Sequence, residues 1–208
     1  MENNLEQLFL PEPGLWQKLR KHFIVIGIAL ILALVGAVLI YYKNKPSQTV
    51  EPAQTNAPII ITPMIITSDA FQNNGVIPAK YTCDGLNINP PLRFSDIPSH
   101  AKSLVLIVDD PDAISGDWSH WILWNILPTT ESIHENSVPP TAIQGATDFG
   151  ANKYGGPCPP TGSHHYKFKL YALDAMLNLP KDTTKSRLLN AIQGHIITDA
   201  ILTGVYNR

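Results

Sequence analysis

From Phe23 to Tyr42 the chain runs for twenty residues without a charge, dominated by Ile, Leu, Val and Ala. Nothing else in the sequence constrains the chain so tightly. About twenty such residues span the hydrocarbon core of a bilayer as a helix. A water-soluble domain would have to bury a helix that is apolar all round on every side, and neither flanking segment has the composition to do so. A cleaved signal peptide has a shorter apolar region, about 7–15 residues, followed by small residues at the cleavage site. Here the run ends in Ile40-Tyr41-Tyr42-Lys43. The reading is an uncleaved single-pass anchor at 23–42. Lys18, Arg20 and Lys21 precede it, whereas only Lys43 and Lys45 follow closely. By the positive-inside rule, residues 1–22 are a cytoplasmic tail and the C-terminal domain is extracytoplasmic.

Residues 43–58 carry Pro46, Pro52 and Pro58 among Ser, Gln, Thr and Asn, with almost nothing to pack. Such composition makes a flexible, solvated linker. The remaining 59–208 make one domain of ordinary size. A net charge of −2 with 15% charged residues supplies no basic field for nucleic acid. No glycine-rich phosphate loop of the P-loop or dinucleotide type occurs.

Within 59–208 the pattern is mainly β. Ile59–Thr62 and Met64–Thr67 read as strands separated by Pro63, and Asn73-Asn74-Gly75 as a turn. Leu104–Val108 is a short, β-branched apolar run, too short for a helix, and Trp121–Leu127 is another. Tyr166–Leu173 alternates. Only the tail reads as helical: Thr183 or Thr184 can cap 185–193, and Ile196–Leu202 follows after Gly194. Strands followed by terminal helices suggest a β-sandwich with C-terminal helices.

The chemistry concentrates after Leu104–Val108, in Asp109-Asp110-Pro111-Asp112, with Ser119-His120 eight residues on. Carboxylates leave water only when paired or hydrogen-bonded. Pro111 stops the strand, and Gly116 lets the chain fold back, so acids and His120 can share a pocket. The plainer alternative is an acidic surface turn followed by a core histidine.

A second stretch, Gly155-Gly156-Pro157-Cys158-Pro159-Pro160 leading to His164-His165-Tyr166, changes the balance. With Tyr81-Thr82-Cys83-Asp84-Gly85, Pro90-Pro91-Leu92, Asp110-Pro111-Asp112-Ala113, Ser119-His120-Trp121 and Asp148-Phe149-Gly150, it resembles the phosphatidylethanolamine-binding protein family. Within that family the bacterial and archaeal Raf-kinase-inhibitor-like branch is the nearer match, and the resemblance covers roughly 62–208. It implies the same sandwich. It also implies a small-anion pocket lined by Asp110, Asp112, His120, His164 and Tyr166, with Gly156 and Pro157 on a rim that offers backbone groups. His120 and His164 would donate N–H groups to phosphate or carboxylate oxygens, with the acids orienting the imidazoles. Trp118, Trp121 and Trp124 are candidates for its apolar wall. Two positions depart from the family: Ile114 stands where proline is frequent, and His165 where arginine is usual.

Cys83 and Cys158 complete the inventory. In an exported domain two cysteines most simply pair. The alternatives are two buried free thiols, a catalytic thiol, or a zinc site shared with a histidine. No cofactor or metal is expected. The resemblance implies a non-catalytic module that binds a small anion or a phosphorylated head group and acts on a protein partner such as a protease or kinase. The competing readings are a hydrolase using Asp110 or Asp112 with His120 as base, and a structural envelope domain with no ligand. No nucleophile sits in a glycine-flanked elbow.

Overall fold

The computed structural model describes residues 15–45 and 62–208, and the side chains from Arg20 onward within them. The tail before Leu15, nearly all of the linker and the Ile59–Ile61 part of the first predicted strand lie outside the described residues. The chain divides into two units with the boundary between Pro58 and Ile59.

The first unit contains helix α1, Leu15–Asn44. It is longer than the uncharged run because Trp16–Lys21 is made of good helix formers and follows Pro13-Gly14. At 1.5 Å per residue its 30 residues extend about 45 Å. Its stretch Arg20–Asn44 is long and apolar enough to cross a membrane, a property it shares with signal sequences. Its large apolar side chains, Phe23 and Leu34 among them, are exposed.

The second unit is mainly β. In chain order it contains β1 (Ile65–Thr67), β2 (Gly75–Val76), β3 (Leu92–Ser95), β4 (Ser103–Asp110), β5 (Trp118–Ile126), β6 (Ser132–Ile133), β7 (Ile143–Gln144), β8 (Ser163–Leu173), helix α2 (Lys185–Ile192) and β9 (Ile196–Asn207). A three-stranded sheet has the order β1-β3-β6, and a six-stranded sheet the order β2-β9-β8-β4-β5-β7.

Every residue of β4 is buried, and the strand's period of two explains how both of its faces are used. Leu104, Leu106 and Val108 join Ile66, Leu92, Phe94 and Ile133 of the small sheet in the main hydrophobic cluster. Val105 and Ile107 face the other way, into a second cluster with Leu188 and Ile192 of α2. The large sheet is therefore covered on both faces. Trp121 belongs to the first cluster and Trp124 to the second.

The second terminal helix does not form. Ile196–Leu202 is part of β9, which pairs antiparallel with β8 from Ser163↔Asn207 to Leu173↔Ile196. Gly194, at φ +79°, ends the helical course, and the β-branched Ile196, Ile197, Thr198 and Ile201 suit a pleated, half-buried surface. The cap of α2 is also different in detail. Thr184 occupies the N-cap position but makes no capping hydrogen bond, and its hydroxyl meets that of Ser186 at 3.1 Å.

Candidate functional site

β4 and β5 form an antiparallel pair that brings Asp110 opposite Trp118. The turn between them passes through Gly116 at φ +96°, a conformation that favours glycine. β8 lies on the other side of β4 and delivers His164 from its first turn of sequence. These three strands position the polar floor of a cleft of about 390 Å³. Asp110, His120 and His164 line it, and Trp118, Phe149 and Pro160 are among its apolar walls.

Asp110 is buried, yet both of its oxygens are engaged. Oδ2 accepts a hydrogen bond from His164 Nδ1 at 2.8 Å, and Oδ1 accepts from the Asp112 N–H at 2.9 Å. The second bond closes the turn that Pro111 begins. His120 has a different partner from the one the sequence suggested. Its Nδ1 lies 2.7 Å from the Gly155 carbonyl, so Nδ1 carries the proton and Nε2 is the acceptor of the neutral ring. Burial pushes the His120 pKa below the usual histidine range, with the Gly155 carbonyl and then Asp110 opposing it. The Asp–His pair of the site is thus Asp110 with His164, not with His120.

Tyr166, predicted to line the cleft, lies behind His120 instead, their rings edge to face at 5.1 Å. Its hydroxyl is buried beside the Asp110 carboxylate and makes no well-formed hydrogen bond among the described residues. Burial, and then the neighbouring Asp110 carboxylate, hold its proton firmly on. Phe149 meets His120 on a further side at 5.2 Å and Trp118 at 5.6 Å. The segment before it is fixed by Asp148, whose Oδ2 accepts the Ser119 N–H at 2.6 Å. Ile114, 90% exposed, projects from the β4–β5 turn at the cleft mouth.

Three more predicted residues lie elsewhere. Asp112 is on the rim, where Oδ2 accepts the backbone N–H and the Nδ1–H of His165 at 2.8 and 2.7 Å. Those bonds hold its carboxyl below the usual range. His165, standing where arginine is usual in the family, therefore occupies the Asp112 carboxylate. Gly156 does not offer its N–H to a ligand, because that group donates to Asn87 Oδ1 at 2.6 Å. Glycine is required there: a Cβ would lie 2.5 Å from the Tyr81 carbonyl oxygen. The Pro157 carbonyl accepts from the Cys83 N–H at 3.1 Å. Both residues build the wall rather than line the cleft.

Cys83 and Cys158 form a disulfide with Cα atoms 5.5 Å apart. This removes the free-thiol, catalytic-thiol and zinc alternatives, since each needs an unbonded sulfur. The neighbouring carboxylate Asp109 has nothing to do with the cleft. It points to the α2 side of β4, where Oδ2 meets Lys169 Nζ at 2.7 Å and Lys185 Nζ at 3.7 Å. Lys185 also reaches Asp117 Oδ2 at 2.9 Å, tying the β4–β5 turn to α2. Sequence reasoning treated the acids as one cluster and missed this. The alternation of β4 carries the signal. It also gave no role to Phe149, although Asp148-Phe149-Gly150 stood out as a motif.

The family model for phosphatidylethanolamine-binding protein matches residues 67–207. The chain belongs to the phosphatidylethanolamine-binding protein family. Among its relatives is a UPF0098 protein of Methanothermobacter thermautotrophicus, 46% identical over 150 residues that cover 70% of this chain and 99% of the relative. A UPF0098 protein of Pyrococcus abyssi is 50% identical over 153 residues, covering 70% and 86% of the two chains. The crystal structure of a phosphatidylethanolamine-binding protein homologue from Chlamydia trachomatis superposes with a TM-score of 0.68 at 45% identity, covering 70% of this chain and 98% of that one. The E. coli family member YbcL gives a TM-score of 0.67 at 29% identity, covering 71% and 99%. The bacterial and archaeal branch of the phosphatidylethanolamine-binding protein family thus accounts for the fold on which the cleft is built.

Proposed function

We propose that this chain is a non-catalytic, membrane-anchored binding module. It is a β-sandwich that takes a small ligand with an anionic head group, such as phosphate, a carboxylate or a phosphorylated head group, in the Asp110–His120–His164 cleft. The observation that carries this reading is the polar floor itself. A buried carboxylate orients one imidazole and a carbonyl orients a second, and both rings line the cleft. Buried polar groups are ordinarily paired, so this floor supports a polar occupant. The apolar walls suit a less polar arm on the same ligand. A protease or kinase as the partner regulated by this module is an extension of the family resemblance.

Anion binding here is linked to proton uptake. With Nδ1 of each ring engaged, Nε2 becomes a donor only when the imidazole is protonated. The His120 pKa is held down in the free protein, and an anion alongside would raise it. Affinity therefore grows as pH falls toward the lowered His120 value. In NMR titrations of the full chain in micelles with phosphate and phosphorylethanolamine, binding is expected to be at least about tenfold tighter near pH 5 than near pH 7.5. His120→Ala is expected to lose about 1–3 kcal/mol of binding. Asp110→Asn removes the anionic partner of His164 and should weaken binding. Ring signals that ignore both ligands would return the cleft to a structural role. Turnover of generic ester or phosphate substrates would favour the hydrolase reading, for which the Asp110–His164 pair is the base a general-base mechanism needs.

The exported orientation of the domain is part of the same proposal. A reporter active only outside the cytoplasm, fused after Arg208, is expected to be active. An inactive fusion would reverse the topology.

A further inference from the structure

A second cleft, also about 390 Å³, is lined by Cys83, Asn87, Lys153 and Tyr154, and it shares Phe149 and Cys158 with the first. The disulfide stands between the two. Cys158 is exposed and Cys83 half-buried. Arg208 brings a guanidinium onto the sulfurs, with Nη1 3.3 Å from Cys158 Sγ and 3.9 Å from Cys83 Sγ. The other end of that guanidinium, Nη2, is 3.3 Å from Asp84 Oδ1, and the Tyr206 hydroxyl donates to Asp84 Oδ2 at 2.8 Å. Asp84 and Tyr206 thus pin the guanidinium in place.

We propose that Cys83–Cys158 is a thiol–disulfide exchange site that a dithiol reductant opens in the folded protein, and that opening it alters the ligand cleft. Exposed disulfides are the labile ones, and a nearby permanent cation favours thiolate as leaving group and product. A thiolate of the reductant attacks the accessible Cys158 Sγ. The Cys83–Cys158 bond breaks, and its electron pair leaves on Cys83, within reach of Arg208, to be protonated from water. The second thiol of the reductant loses its proton and attacks the reductant's own sulfur in the mixed disulfide, releasing Cys158 as thiolate, which takes a proton from water. The net change moves two electrons and two protons from the dithiol, which becomes a disulfide, to the two cysteines.

The fold survives the opening because the same two loops are joined independently. The Cys83 N–H bonds the Pro157 carbonyl at 3.1 Å, and the Gly156 N–H bonds Asn87 Oδ1 at 2.6 Å. The consequence reaches the cleft through Cys158 itself, which lines it together with His120. Freeing the Cys158 side chain changes the surroundings of that ring. This goes beyond ligand binding and is tested without any ligand.

The experiment exposes the full chain in detergent micelles to dithiothreitol without denaturant. It follows thiols by trapping and mass measurement and histidine ring signals by NMR. Reduction is expected to proceed at a rate proportional to dithiothreitol, with the fold retained. The His120 signal should shift, while that of His195, paired with Asp174 on the surface at 2.8 Å, stays in place. Arg208→Gln should slow reduction about tenfold. A rate independent of dithiothreitol, limited by unfolding, overturns the proposal. So does an unmoved His120 signal, or an Arg208→Gln chain reduced at the parent rate.

Discussion

Lys169→Met is expected to lower the stability of the globular unit by about 3–5 kcal/mol, because it strips a buried carboxylate of its main partner. The Asp109 side chain is 2% exposed and bonded to Lys169 Nζ at 2.7 Å, with Lys185 at 3.7 Å a poorer substitute. Its Oδ1 has no hydrogen bond among the described residues. Burial already raises the Asp109 pKa above the usual carboxylate value, with Lys169 the main opposing influence. An acid whose folded pKa is raised binds more protons in the native than in the unfolded state. Stability therefore falls as pH rises from about 3.9, the unfolded value, through the folded one. Without Lys169 that window widens upward. The deficit of the variant, measured by chemical denaturation, should accordingly be smaller near pH 5 than near pH 7.5. Asp109→Asn in the same background should recover part of the loss, since it removes the unpaired charge. Equal losses at both pH values, with no recovery, would mean that the lysine acts through packing of its stem alone.

Replacing both cysteines with alanine is expected to cost about 4 kcal/mol in the chain-entropy model, which grows with the loop closed. The bridged residues are 75 apart in sequence. The loss should appear as a lower denaturation midpoint with a cooperative transition retained, and reductant should produce the same shift in the parent chain. Intact mass after thiol labelling in denaturant should show no free thiol in the oxidised protein. An unchanged midpoint would place the constraint in the hydrogen bonds that parallel the disulfide.

The parts of the fold that were legible are those set by local pattern. Leu104–Val108 and Tyr166–Leu173 are strands because β-branched runs and alternation are local properties. β9 was misread for the opposite reason. Ile196–Leu202 takes its conformation from six register partners on β8, and no property of the segment alone names them. The site divides in the same way. Asp110, His120 and His164 were readable from their motifs. The use of Asp112, Gly156 and Pro157 depends on His165, Asn87 and Cys83 arriving from distant sequence to occupy their polar groups. The partner of His120 could not be read either, because a backbone carbonyl leaves no mark in side-chain identity.

Asp109 and Asp110 are neighbours in sequence with opposite loyalties. Each is satisfied on only one face of β4, by Lys169 in one case and by His164 in the other. A slip of one residue in strand alignment exchanges the faces of every side chain. In β4 the apolar residues on the two sides are similar enough in size to tolerate such an exchange. The carboxylates are not: the slip would strand two charges in apolar surroundings and leave Lys169 and His164 facing hydrocarbon. The adjacent acids therefore act as an alignment check during assembly of the sheet, rejecting a pairing that hydrophobicity alone would accept.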